Sequence, residues 1–171
     1  MFKGLWVGLR LFWCSPSKSR AGLIAISAAL WLAFPAKPWL MAQTQGVATL
    51  RVRIDGARNA RGEIVVLVFR DSNGFTNDGS KAVRTERVPI DAQTLSSQAV
   101  FEGLRQGVYA VTLFHDENMN GKLDTNFLRI PKEGYGFSNN PKKRAGPPPF
   151  DQAKFSLNQA ECSIEVRLIY W

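Results

Sequence analysis

The sequence predicts an all-β protein: a single antiparallel β-sandwich of about seven strands, which follows an N-terminal signal segment. Three observations lead to this fold class. Apolar and polar residues alternate with a period of two from about Thr44 onward, turn-forming residues separate the alternating stretches, and the sequence after residue 42 contains no convincing amphipathic helical pattern.

The first four predicted strands differ in how strongly the sequence supports them. Residues 50–54 alternate apolar with polar side chains, which is typical of a half-buried strand. Residues 64–69 are apolar on both sides, as expected of a strand in the middle of a sandwich. Residues 84–90 and 98–101 show weaker alternation and are weaker strand candidates.

The remaining strands lie on either side of a long segment rich in chain breakers. Residues 108–115 form a strong apolar strand that runs directly into a polar loop at residues 116–124. Prolines, glycines and two adjacent asparagines predict a long irregular loop at residues 131–150. Phe155 and Leu157 then alternate with polar residues. In the last strand one face carries Cys162, Ile164, Val166, Leu168 and Tyr170.

Residues 101–109, Phe-Glu-Gly-Leu-Arg-Gln-Gly-Val-Tyr, predict a strand–turn–strand corner. This segment resembles the corresponding corner of prealbumin-like and Cna-B-like modules of the immunoglobulin type. The resemblance implies an immunoglobulin/prealbumin-like sandwich, and because it is an analogy between folds it implies no function.

The first 42 residues predict a secretory signal. They hold five basic residues, no acidic residue and an apolar run at residues 21–34, after which Pro35 and Pro38 precede the small residue Ala42. The run of 14 residues is shorter than the roughly 20 that span a bilayer. We therefore expect residues 1–42 to be a signal peptide cleaved after Ala42, with cleavage after Ala36 or an uncleaved anchor as alternatives, and residues 43–171 to form the sandwich domain.

Most of the net charge belongs to the predicted signal. The whole chain carries +8, but residues 43–171 hold seventeen basic and fourteen acidic residues, a net charge of +3. This removes the main support for a nucleic-acid partner, and membrane contact is expected only through residues 21–34 if the signal is retained. Because Cys14 lies in the signal, we expect no internal disulfide in residues 43–171, so the sandwich must be held together by its core.

The loop at residues 116–124 has the spacing of a cation site. Oxygen-bearing side chains fall at its first, third, fifth and ninth positions, and a glycine, Gly121, occupies the sixth. Oxygen ligands at alternate positions around a sharp turn suit calcium. The predicted ligands are the side chains of Asp116, Asn118, Asn120 and Asp124 and the backbone carbonyl of Lys122.

The loop differs from an EF-hand. Phe127 stands at the twelfth position, where an EF-hand has a bidentate glutamate, and both flanks predict strands. The loop is more similar to the calcium hairpins of integrin-type propellers. With two charged side-chain ligands we expect weak affinity, with a dissociation constant of roughly 10⁻⁴–10⁻³ M. The alternative is an ion-free turn, since Asn and Asp side chains also hydrogen-bond to nearby backbone groups.

The chain resembles an uncharacterised family of secreted bacterial proteins known as a domain of unknown function. The resemblance is strongest at residues 115–139, where the pattern reads HDxNxNGxLDTNFxxIPKEGYGFSN. Met119 and Arg129 depart from it, because glycine is more usual at both positions in that family. Neither side chain is a predicted ligand, so these departures concern local backbone geometry. The family carries no agreed activity, and the resemblance therefore implies no reaction.

A second group of residues follows the loop and is a possible ligand surface: Glu133, Tyr135, Phe137, Ser138 and Asn139. Aromatic and amide groups on a loop can bind a glycan or peptide. The alternative is that the two aromatic rings attach the loop to the sandwich. His115 is the only histidine, which excludes a three-histidine zinc site and favours packing at the strand end.

These features predict an exported, secreted or periplasmic, non-catalytic module that binds one structural calcium ion and has a structural or ligand-binding role in the cell envelope. The expected partner is an envelope protein or glycan. One alternative is an accessory module that binds carbohydrate. The other is a hydrolase that uses Asp116 or Glu133.

Overall fold

The computed structural model describes residues 46–142 and 146–171, which form a two-sheet β structure. The predicted signal at residues 1–42 lies outside the described residues. Eight strands follow in chain order: β1 (Val47–Asp55), β2 (Glu63–Phe69), β3 (Arg84–Val88), β4 (Ser97–Arg105), β5 (Gly107–Asp116), β6 (Tyr135–Phe137), β7 (Phe155–Leu157) and β8 (Glu161–Arg167). A short 3₁₀-helix, Gly79–Lys81, precedes β3, and a one-turn α-helix, α1 (Phe150–Ala153), precedes β7.

The strands form one sheet of three and one of five. The first has the order β4-β1-β8, and the second has the order β3-β2-β5-β6, with β7 also paired to β5. The all-β sandwich class is therefore confirmed. Within the described residues, no helix is long and apolar enough to cross a membrane.

The alternating side chains of β1 show why the chain forms this sandwich. Leu50, Val52 and Ile54 are fully buried between the two sheets, whereas the intervening residues face outward. The same interior contains residues of β5, and all five residues predicted to share a face of the last strand pack against it. Burying each such side chain contributes roughly 1.5–3 kcal/mol before the cost of chain ordering.

β2 is apolar on both sides because both faces of its sheet are covered. Ile64, Val66 and Val68 face the sandwich interior. Val65, Leu67 and Phe69 lie on the opposite face under a second apolar cluster. That cluster includes Phe75 from the loop after β2 and Phe150 from α1, whose rings meet edge to face at 5.6 Å.

Two features of the sheets differ from the prediction. β8 pairs with β1 in parallel, from Thr49 opposite Glu161 to Asp55 opposite Arg167, so one sheet is mixed rather than antiparallel. A period of two shows which face of a strand is buried but carries no information about strand direction, which explains the error.

The second difference is β6, an eighth strand within the predicted irregular loop at residues 131–150. It pairs antiparallel with β5, with Tyr135 opposite Phe114. Close packing requires glycine within this strand and just before it. A Cβ on Gly136 would lie 2.9 Å from the Arg167 carbonyl oxygen, and one on Gly134, which precedes the strand, would lie 2.4 Å from the Tyr170 ring. Glycine inside a strand can mark such close approach as well as a loop.

Candidate metal centre

The loop at residues 116–124 leaves the sandwich at the end of β5. Asp116 is the last residue of that strand and pairs with Glu63 of β2, so its backbone is fixed by the sheet. Its side chain is fully buried. One carboxylate oxygen accepts a hydrogen bond from the Asn120 N–H at 3.0 Å, and the other accepts from the Gly121 N–H at 2.6 Å. Asp116 therefore closes the turn from within.

The turn requires two residues with a positive φ. Gly121 has φ +76° and Met119 has φ +60°, both in the left-handed region. Glycine occupies this region without steric cost, whereas a residue with a Cβ does so at roughly 1–2 kcal/mol. Arg129, the other departure from the family pattern, has φ +59°. Both departures thus lie where the backbone conformation favours glycine.

The side chains of the predicted ligands meet at Asp124. Asn118 Nδ2 donates to Asp124 Oδ2 at 2.8 Å, and Asn120 Nδ2 donates to Asp124 Oδ1 at 3.1 Å. Asn118 Oδ1 accepts from the Asn120 N–H at 3.1 Å, and Asn120 Oδ1 accepts from the Lys122 N–H at 2.8 Å. The structure thus brings four predicted side chains into one hydrogen-bonded group. The role of the Lys122 carbonyl stays a prediction.

Glu133 joins the two ends of this loop. Its side chain is buried, and its two carboxylate oxygens accept hydrogen bonds from the Glu117 N–H at 3.0 Å and the Asp124 N–H at 2.9 Å. The sequence pattern predicts Glu133 only as part of a possible ligand surface and gives no sign of this structural role. Its position nine residues after Asp124 gives no local signal for a contact that depends on how residues 131–134 fold back.

Positive charge lies on one side of the loop. The Arg87 guanidinium of β3 is 3.8 Å from Asp116 Oδ2 and forms a closer ion pair with Glu63. A Cβ on Gly121 would lie 3.0 Å from Arg87 Nη2, so the loop backbone passes directly under this side chain. Arg87 was not part of the predicted site, because β3 is remote from the loop in sequence.

Glu117 anchors the next position of the loop to the turn between β1 and β2. Its carboxylate lies 2.5 Å from Arg58 Nη2, 3.3 Å from Arg61 Nη2 and 3.2 Å from Asn59 Nδ2. Burial alone would raise the pKa of Glu117, but the hydrogen bonds from Asn59 and Arg58 and the charge of Arg58 outweigh it and lower that pKa. Glu117 is thus a structural anion rather than a reactive one.

His115 has a packing role at the end of β5. The side chain is fully buried, and its ring nitrogens contact the Tyr170 hydroxyl at 2.8 Å and the Arg61 carbonyl at 2.7 Å. A carbonyl accepts only, so the nitrogen facing Arg61 carries hydrogen, and in the neutral imidazole the other nitrogen accepts from the Tyr170 hydroxyl. Burial raises the pKa of the Tyr170 hydroxyl and so keeps this donor protonated. The predicted packing role of His115 agrees with these contacts.

Few strong metal ligands are available in this group of residues. In the described part of the chain, no three histidine, cysteine, aspartate or glutamate side chains are grouped so as to hold a metal ion. An ion at the loop would therefore depend on two carboxylates, two side-chain amides and backbone carbonyl groups. Such hard, mostly neutral oxygen ligands suit calcium at modest affinity.

Two side chains of the possible ligand surface are buried in the interior of the domain. Ser138 is buried, and its hydroxyl donates to the Ala153 carbonyl at 2.6 Å and accepts from the Val111 N–H at 2.8 Å. Glu133 is likewise buried, so neither residue can contact a ligand at the surface. Asn139 is exposed, and its side chain donates to the Gln152 and Lys154 carbonyls.

The two aromatic residues of that surface are half-buried and border a hollow. The rings of Tyr135 and Phe137 lie 5.8 Å apart, and Phe137 also contacts the apolar cluster around Phe75. The hollow beside them measures about 220 Å³ and is also lined by Pro147, Pro148 and Ile169. The rings thus both attach the loop and border a surface depression.

Comparison with known proteins assigns the family. A family model described as "Uncharacterized protein conserved in bacteria (DUF2141)" matches residues 52–165. The chain belongs to this family. The DUF2141 match begins in β1 and ends in β8, so it includes the whole ion loop and Glu133. No curated protein and no solved structure matches the chain.

Proposed function

We propose that this protein is an exported, non-catalytic module of the bacterial cell envelope in which the loop at residues 116–124 binds one calcium ion. The proposal rests on one observation. The side chains of Asn118 and Asn120 both hydrogen-bond to the Asp124 carboxylate, next to the buried carboxylate of Asp116. The bound ion would fix the loop backbone, and the adjoining segment would present the contact surface to an envelope protein or glycan.

The candidate ligand atoms of the loop are all oxygens, which calcium prefers. Asp116, Glu117 and Asp124 are acidic and Lys122 is basic, so the loop carries a net negative charge. Both oxygens of Asp124 accept only from neutral amide groups among its side-chain contacts. A divalent cation would interact with these oxygens more strongly than an amide dipole does. Asn118 and Asn120 would contribute their amide oxygens, and Lys122 its carbonyl.

The geometry also supports a low affinity. Asp116 already accepts two backbone hydrogen bonds, and Arg87 competes with a cation for its negative charge. A dissociation constant of about 10⁻⁴–10⁻³ M is typical of extracellular calcium modules and is the value we propose.

Thermal unfolding in calcium and in chelator tests the proposal. An ion that binds only the folded state at 10 mM would stabilise it by about 1.4–2.7 kcal/mol for that affinity range, or roughly 4–12 °C in Tm. Asp124→Ala should abolish the calcium effect. Asp91→Ala is the matched control, because Asp91 is an exposed acidic residue that caps a separate turn, accepting from the Thr94 N–H at 2.7 Å. It should lower Tm and keep the calcium effect.

Export is a separate part of the proposal and rests on residues 1–42. Mass spectrometry of the chain recovered from a bacterial periplasm would identify its first residue. Cleavage after Ala42 gives a chain that begins at Gln43. Recovery of the uncut chain in the membrane fraction would support the anchor instead.

A carbohydrate-binding module is the second candidate, and the hollow beside Tyr135 and Phe137 is the observation that favours it. Aromatic rings bordering a depression are suited to stacking against sugar rings. A glycan array probed with Tyr135→Ala and Phe137→Ala beside the native chain would separate the two candidates. Binding that both variants lose would support the carbohydrate module.

The hydrolase candidate has less structural support. Asp116 and Glu133 are both buried, and each uses both carboxylate oxygens to accept backbone hydrogen bonds. A general acid or base needs access to substrate. Broad glycosidase, esterase and peptidase assays that detect turnover lost in Glu133→Gln would reverse this assessment.

The likeness to prealbumin-like and Cna-B-like modules is also a proposal. It is supported by the corner between β4 and β5, where the Tyr109 hydroxyl donates to the Arg105 carbonyl at 2.6 Å. A tyrosine bonded to the backbone a few residues upstream occurs in immunoglobulin-type sandwiches.

A further inference from the structure

A short turn next to the ion loop exposes two large apolar side chains. Phe127 is 92 % exposed and Leu128 is 62 % exposed, and they are adjacent in the chain. They project from a turn rather than lining a groove, since the chain reverses between Thr125 and Pro131, which pair across it. The core of the fold gains almost nothing from Phe127, and the two adjacent apolar side chains are free to contact another surface.

The turn is held rigidly by its own hydrogen bonds. Asn126 Oδ1 accepts from the Leu128 N–H at 2.9 Å and from the Ile130 N–H at 3.0 Å. The backbone adds bonds from the Asn126 N–H to the Ile130 carbonyl and from the Arg129 N–H to the Asn126 carbonyl, both at 2.9 Å. Phe127 and Leu128 are therefore presented in a fixed position, and binding through them would need little ordering of the backbone.

Two exposed cations, Arg129 and Lys132, follow the two apolar residues in the chain. The backbone N–H of Lys132 donates to the Asp124 carbonyl at 2.8 Å and so ties Lys132 to the base of the turn. Among the described residues, neither cation forms a salt bridge with a carboxylate. Residues 126–132 contain no acidic residue, so the turn itself presents apolar groups and positive charge together.

We propose that the turn at residues 126–132 inserts Phe127 and Leu128 into the surface of a membrane containing anionic lipids. Two properties favour a lipid surface over a protein pocket. A projecting apolar tip needs no complementary cavity in a fluid layer, and exposed cations next to it attract anionic headgroups. This contact is additional to the one expected of residues 21–34 and does not depend on the calcium proposal.

The test places a spin label on the turn of the full chain. Leu128→Cys carries the label in a Cys14→Ser, Cys162→Ser background, and Ser72→Cys, in an exposed turn at the opposite end of β2 from the ion loop, is the matched control. Any insertion of residues 21–34 affects both proteins equally. Vesicles of phosphatidylcholine alone, and of phosphatidylcholine mixed with phosphatidylglycerol, are compared with calcium and with chelator.

In mixed vesicles the label at position 128 should become accessible to oxygen and shielded from a water-soluble nickel chelate, whereas the label at position 72 stays in water. Arg129→Gln and Lys132→Gln should each lower the ratio of inserted to water-exposed label roughly fivefold, and Phe127→Ser should lower it about tenfold or more. Equal exposure of the two labels under all conditions overturns the proposal. Shielding of position 128 without vesicles also overturns it, because another protein surface would then cover the turn.

Discussion

The backbone N–H of Asp124 donates a 2.9 Å hydrogen bond to Glu133 Oε2. The other oxygen of Glu133 accepts from the Glu117 N–H, so one buried carboxylate holds both ends of the candidate calcium loop. The loop geometry thus depends on a residue that lies outside it in sequence.

Loss of this carboxylate should destabilise the protein. Glu133→Ala leaves two part-buried N–H groups without their acceptor, at about 1–2 kcal/mol for each, so we expect the free energy of unfolding to fall by about 2–4 kcal/mol. Urea denaturation measures the change. Glu165→Ala, an exposed glutamate of β8, is the control and should stay within about 0.5 kcal/mol of the native value. Equal changes in the free energy of unfolding for the two variants would show that Glu133 does not have this structural role.

The positive φ of Met119 makes glycine favourable there. Met119→Gly relieves a left-handed conformation that costs roughly 1–2 kcal/mol and adds about 0.5–1 kcal/mol of unfolded-state entropy, so we expect a net gain of about 0.5–1 kcal/mol. Val108→Gly is the matched control, because Val108 is also exposed but lies within β5. It should destabilise, since glycine weakens a strand. Chemical denaturation measures the free energy of unfolding of both variants. A lower value for Met119→Gly as well as for Val108→Gly would show that the Met119 backbone is not strained.

The hydrogen bond between Tyr170 and His115 predicts that the native chain and Tyr170→Phe differ in stability by an amount that depends on pH. Tyr170→Phe leaves a buried ring nitrogen of His115 without a donor and should cost about 1–3 kcal/mol at neutral pH. Burial raises the pKa of Tyr170 above its ordinary value of 10.0. Its protonated hydroxyl therefore stabilises the fold below pH 10, and this contribution is lost as the pH rises above that value.

The difference in Tm between the native chain and Tyr170→Phe should accordingly shrink above pH 10. Tyr135→Phe is the control, because the Tyr135 hydroxyl contacts Trp171 and leaves His115 unaffected. A Tm difference that stays constant through this pH range would show that the Tyr170 hydroxyl does not make the contribution assigned to it.

Arg87 should weaken calcium binding through its distance of 3.8 Å from Asp116. Two charges about 4 Å apart in water interact by about 1 kcal/mol, so Arg87→Gln should lower the calcium dissociation constant about fivefold. Arg84→Gln changes the charge of the same strand without a contact to Asp116 and should have little effect. Calorimetric titration of both variants checks this, and equal dissociation constants would argue against a site at Asp116.

The sequence predicted the features that depend on short-range patterns. Alternation at Leu50, Val52 and Ile54 places β1 and its buried face correctly, because a period of two follows from strand geometry. The spacing of oxygen side chains likewise places Asp116, Asn118, Asn120 and Asp124 in one group. These inferences needed only residues within about ten positions of one another.

The features that the sequence did not predict depend on contacts between distant segments. The parallel pairing of β8 with β1 joins the two ends of the domain. Arg87 reaches the loop from another strand, and Glu133 reaches it through the fold of β6 and its preceding residues. The sequence predicts a loop at Gly134 and Gly136, because a close contact such as that between Gly136 and the Arg167 carbonyl oxygen leaves no mark in the local pattern.

Isothermal titration calorimetry with calcium is the most direct test of the proposed site. A calcium site in the loop should give heat that saturates at one ion per chain with a dissociation constant of about 10⁻⁴–10⁻³ M. Asp124→Ala should abolish this heat and Asp91→Ala should retain it. Absence of saturable heat in the native chain up to millimolar calcium would contradict the account and leave the loop as a turn held by its own hydrogen bonds.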